Sequence, residues 1–149
     1  MKSTCASRGL ACAVLAVMLG IASTAAAADI PNIVGTWKPV GEEHASVRHG
    51  AAGETSPAHE VPTFGGQTPW SLVIEAQEGR AFHGHALPPE GEKETLVGVI
   101  HHDGEHLVIA NDDGVAHGEF VGDQLELCWI DHDPDRSVVS CTLLAKQGS

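Results

Sequence analysis

The chain has 149 residues, with 8 Lys+Arg against 20 Asp+Glu, 10 His, 4 Cys and no Tyr. That length suits a single domain. A formal charge of −12 excludes nucleic acid and anionic membrane surfaces as partners, because both demand a basic footprint.

Residues 1–28 read as a secretory signal peptide. Lys2 and Arg8 supply the charged start, residues 10–21 an apolar stretch of 12, and the alanines at 25–28 a cleavage site before Asp29. Twelve apolar residues fall short of the roughly 20 that span a bilayer, so the mature chain is not expected to be embedded in a membrane. Cleavage removes Lys2 and Arg8 and no acid; 6 Lys+Arg then face 20 Asp+Glu, a net charge of −14. Cys5 and Cys12 leave with the signal. In a periplasmic or secreted protein the remaining pair, Cys128 and Cys141, is expected to form a disulfide.

The mature domain, residues 29–149, shows short β-branched runs and no sustained 3.6-residue period. Candidate strands cover residues 33–40, 70–76, 80–87, 94–100, 106–111, 115–121, 124–130 and 137–145. Short turns, most of them glycine-bearing, separate them, so eight strands in sequential hairpins point to an all-β, up-and-down antiparallel barrel with a long first loop over residues 41–69. Three-residue loops are expected at Gln77–Gly79, His102–Gly104 and Asp112–Gly114, and a two-residue turn at Gly122-Asp123. These lengths set the register. They gather Leu96, Gly98, Ile100, Val108, Ala110, Ala116, Gly118, Phe120, Leu125, Leu127, Trp129, Ser140, Thr142 and Leu144 on one uncharged face, taken as the interior. Cys128 then stands opposite Cys141 on the outside. That outer face also carries Val97, Val99, Leu107, Ile109, Ile130, Val139 and Leu143. Two readings stand: scattered surface hydrophobes, or a contiguous patch for a homo-oligomer or protein partner.

Gly35-Thr36-Trp37 opening the first strand resembles the start of calycin-type barrels, the lipocalin and avidin group, where the Trp plugs the closed end. The hairpin over residues 74–85 (IEAQEGRAFHGH) is similar to the second and third strands of avidin-like proteins, with Phe82 and Gly84 turned inward. The resemblance implies a barrel with a ligand cavity at the open end. The avidin-type ligand residues do not carry over: Lys38 and Pro39 follow Trp37 where avidins place an Asn two residues beyond that Trp. Biotin is therefore not the expected ligand.

Several constellations of residues bear on chemistry. His83 and His85 share one face of a strand, the spacing for two ligands to a zinc or copper ion. A three-residue loop at Gln77–Gly79 leaves both imidazoles outside, whereas a two-residue loop would turn them into the core. The acidic turns at residues 111–114 and 131–135 lack the spacing of a calcium loop and read as turn formers. No serine sits on a strand–turn–helix elbow and both mature cysteines are committed, so the chain is not expected to be an enzyme. The primary expectation is a non-enzymatic exported barrel binding a small apolar or amphipathic molecule. Trp70, Leu72, Phe82, Phe120 and Trp129 would line its cavity, with residues 41–69 as a lid. The alternatives are metal binding through surface His and acids, and an envelope interaction or inhibitor module.

Overall fold

The structure is a computed structural model that describes residues 29–51, 58–65, 70–89 and 92–148; the signal segment lies outside them. The described residues form nine antiparallel strands: β1 (Gly35–Gly50), β2 (His59–Phe64), β3 (Ser71–Glu78), β4 (Ala81–Leu87), β5 (Glu94–Ile100), β6 (His106–Ala110), β7 (Gly114–Val121), β8 (Gln124–Asp133) and β9 (Arg136–Lys146). From β3 to β9 each strand pairs with the next, and β1 closes the ring by pairing with both β3 and β9. A closed eight-stranded antiparallel barrel results, compatible with a calycin-like fold, with β2 added along the far half of β1. Among the described residues no helix is long and apolar enough to cross a membrane.

One end is sealed. Ile33, ahead of β1, is 2% exposed and packs into the core beneath Trp37. Gln77 clamps this segment, its Oε1 accepting from Ile33 N and its Nε2 donating to Pro31 O. Trp37 donates its indole N–H to Ile33 O at 2.9 Å and meets the Phe120 ring at 6.3 Å. Gly35-Thr36-Trp37 thus opens β1 as the sequence implies, with the Trp at a plugged end.

The hairpins correct the expected register at three places. The β3–β4 turn holds two residues, Gly79 (φ 58°) and Arg80, not three, because Glu78 pairs with Ala81. Glycine first with φ > 0 suits a two-residue turn. A β-bulge between Ile74 and Ala76 absorbs the odd residue, so Leu72 and Ile74 still face Ala86 and Gly84 inside. At β5–β6 the hairpin closes through His101 N to His106 O, leaving residues 102–105 in the loop. Asp103 Oδ1 accepts from Glu105 N and His106 N, which draws Glu105 into that loop. At β6–β7 the closing bond is Asn111 N to Gly114 O, and Asn111 Oδ1 accepts from Asp113 N and Gly114 N, so only Asp112-Asp113 turn.

These last two corrections are one residue each and cancel beyond β6. β6 itself is reversed: Leu107 and Ile109 are core, whereas Val108 and Ala110 lie outside. Burial explains the choice, since this register removes the two larger side chains from water. Beyond it the expected pairs hold, Gly118 with Leu127, Leu127 with Thr142 and Cys128 with Cys141, the last bridged by a disulfide. A disulfide-bonded pair is consistent with an oxidising compartment.

The interior small residues are filled spaces. A Cβ on Gly98 would come 2.2 Å from the Phe82 ring, and one on Gly118 would come 2.7 Å from Leu107 Cδ1. Large and small residues on neighbouring strands complement one another, as a packed barrel requires. Gly98→Ala is therefore expected to destabilise by about 1–3 kcal/mol through overpacking. Phe82→Leu in the same chain should recover part of that loss, and urea midpoints at unchanged m-value measure both. Replacing Cys128 and Cys141 by Ser removes a bridge of sequence separation 13. The expected loss is about 3 kcal/mol on the chain-entropy argument, read as the fall in urea midpoint.

Candidate functional site

The five expected ligand residues do not gather at one mouth. Leu72 and Phe82 are fully buried core, and Phe120 packs at the sealed end against Trp37. Trp70 and Trp129 are half-buried and lie towards the opposite end, Trp70 just before β3 and Trp129 beside Ser140.

The residues that distinguish this opposite end come from the segment expected to be a long loop. Residues 41–50 are strand, continuing β1 along β9, and His59–Phe64 returns as β2 against it. Directly paired residues of an antiparallel ladder share a face. His44 pairs with Thr142, Ser46 with Ser140 and Arg48 with Val138, which is 3% exposed. All three β1 side chains therefore turn inward. Arg48 is 6% exposed and donates through Nη2 to Gly65 O at 3.0 Å. On the same inner face Arg136 Nη2 meets Asp131 Oδ2 at 2.8 Å. Nearby, Asn111 Nδ2 donates to Glu94 Oε2 at 2.8 Å, bridging two strands.

The inner face is thus not uncharged. Below this band the interior is aliphatic and aromatic; at it the wall becomes polar. Both ring nitrogens of His44 and the Ser46 hydroxyl are closed to solvent and have no hydrogen-bond partner among the described residues. Residues 44–48 do alternate with period two, but polar-in and apolar-out. That inversion hid a strand whose signal was otherwise present.

On the outer wall, His83 and His85 both lie on the outer face despite the two-residue turn, because the bulge restores their side; the His83 side chain is exposed, whereas that of His85 is only 12% exposed. Glu75, at the bulge, reaches both: Oε1 lies 2.9 Å from His85 Nδ1 and Oε2 lies 3.9 Å from His83 Nδ1. Among the described residues no group of three His, Cys, Asp or Glu is placed to hold a metal ion. The outer apolar residues form a row in register, Val97–Ala110–Val115–Ile130–Val139–Val47–Phe64, crossing β5, β6, β7, β8, β9, β1 and β2. Its two ends, Val97 and Phe64, are 58% and 84% exposed. Leu107 and Ile109 are absent from it. The same outer wall also carries Glu75, Glu119 and Glu126.

No family model, curated protein or solved structure matches this chain.

The β5–β6 loop holds one electrostatic pair. Asp103 accepts the backbone N–H groups of Glu105 and His106 and pairs with the His106 ring at 2.9 Å. The Glu105 N–H, then the His106 ring, hold its pKa down to about 2, while the Asp103 carboxylate raises that of His106 above 6.5. The Asp103 contribution to stability is present above pH 3.8 and lost as pH falls through about 2. The His106 contribution is full below pH 6.5 and lost as pH rises through its raised pKa. The loop should therefore be firmest between these limits. An NMR titration is expected to place His106 above 6.5, and Asp103→Asn to return it towards that value.

Proposed function

We propose that the protein is an exported, non-enzymatic barrel that holds a small amphipathic molecule at the end opposite Trp37. The observation that carries this reading is the polar inner band of His44, Ser46 and Arg48 at the same end as the Arg136–Asp131 pair, set above an apolar, packed core towards Trp37. Natural interiors do not turn polar side chains inward without partners for them, and a barrel mouth is a common place for a ligand. Trp70 and Trp129 supply aromatic surface at that end. Leu72, Phe82 and Phe120 act beneath it as the rigid floor that fixes the mouth. Export is supported by the signal-like residues 1–28 and by the Cys128–Cys141 bridge. The calycin-type likeness supports the same reading through Trp37 and its plugged end.

A second reading, a protein-interaction module, is favoured by the in-register apolar row on the outer wall. Native mass spectrometry of the mature protein, exported and purified gently from its own host, separates the two. An excess on the order of a few hundred Da supports the ligand reading, as expected for a bound small molecule. A doubled mass or a stable protein complex supports the interaction reading. An excess equal to a transition metal supports metal held at His83 and His85. A bare monomer overturns tight ligand binding.

A further inference from the structure

The inner band carries its own description of what it binds. His44 and Thr142 face each other across the β1–β9 seam, and Ser46 and Ser140 do so one step along. These four side chains form a two-by-two patch between the aliphatic floor at Leu144 and the charged groups at Arg48 and Arg136. A neutral imidazole offers one donor and one acceptor, and each hydroxyl offers both. The patch therefore presents mixed hydrogen-bonding capacity and contains no carboxylate, ammonium or guanidinium group. Three of its atoms, His44 Nδ1, His44 Nε2 and Ser46 Oγ, are sealed from solvent with no hydrogen-bond partner among the described residues.

Its charged neighbours are already engaged, Arg136 with Asp131 and Arg48 with Gly65 O. A mature chain of net charge −14 also repels small anions at long range. A cation would find the Asp131 carboxylate occupied by Arg136.

Building on the ligand reading above, we propose that the bound molecule carries an uncharged head with both donors and acceptors, of amide type, seated between His44, Ser46, Ser140 and Thr142. The apolar remainder of the molecule lies against Trp70 and Trp129.

Three probes with one tail and different heads test this on the mature, disulfide-bonded protein: hexanamide, hexanoate and hexylammonium. Hexanamide is expected to shift the ring-nitrogen NMR signals of His44 saturably, with the two ions binding about tenfold more weakly or worse. Ser46→Ala and His44→Phe should each weaken hexanamide by about tenfold, the scale of a lost hydrogen bond. Thr142→Val, which keeps the shape, replaces His44→Phe if that variant does not fold. Hexanoate or hexylammonium binding as tightly as the amide overturns the assignment of an uncharged head and leaves the barrel a ligand carrier. Hexanamide binding that ignores Ser46→Ala and the second variant overturns the assigned seat alone. If no probe binds, the assignment fails, and the native mass decides separately whether the barrel carries a ligand.

Discussion

β1 meets β3 over residues 35–37 only, yet follows β9 from Trp37 to Gly50, and both seams must hold for the sheet to lose its edges. A strand paired on one side alone would expose a row of backbone donors and acceptors. The irregularity between Pro39 and His44 lets one strand serve both seams: its first part completes the ring at the sealed end, and its second part leaves β3 and takes β2 as its outer neighbour. The Trp37 plug, the inward turn of His44, Ser46 and Arg48, and the position of β2 all follow from that double pairing.

The barrel separates apolar packing from polar side chains along its axis. At the Trp37 end, Ile33, Phe82, Leu107, Leu125 and Leu144 fill the space above Gly98 and Gly118, and burial of apolar surface drives folding. At the far end the same strands present hydroxyls, an imidazole and two guanidiniums inward. Buried polar groups cost free energy unless matched. Confining them to one end keeps that cost away from the packing that holds the fold. The disulfide joins β8 to β9 beside this band and so braces the wall that carries Ser140 and Thr142.

Much of the ring was legible because a hairpin's turn length and its alternation are local properties. Gly122-Asp123 and the Cys128–Cys141 pairing followed from counting residues. β6 did not, because Asx hydrogen bonds at Asp103 and Asn111 changed the loops on either side of it by one residue each. Parity made those two errors invisible in β7, β8 and β9. The outward placement of His83 and His85 came out as expected through a different route, a shorter turn offset by a bulge at Glu75. The β9 side of the polar band, Ser140 and Thr142, was legible as inward, but its β1 side was not. His44, Ser46 and Arg48 read as an acidic, glycine-bounded connection because a strand with its polar side inward resembles a loop until its partner is known.

The amino-acid sequence by itself determined most of the strand-and-turn rhythm, the all-β architecture and the pairing of Cys128 with Cys141, since each depends on residues near one another or on simple alternation; the aromatic plug at Trp37 came from the resemblance to calycin-type barrels. Only the tertiary structure decided which face of β6 is inside, that residues 41–50 extend β1, and that Glu75 joins His83 and His85. The β1 extension rests on backbone hydrogen bonds to β9, far away in the chain, whereas the face of β6 and the reach of Glu75 rest on burial and on Asx bonds and a bulge that strand alternation does not register.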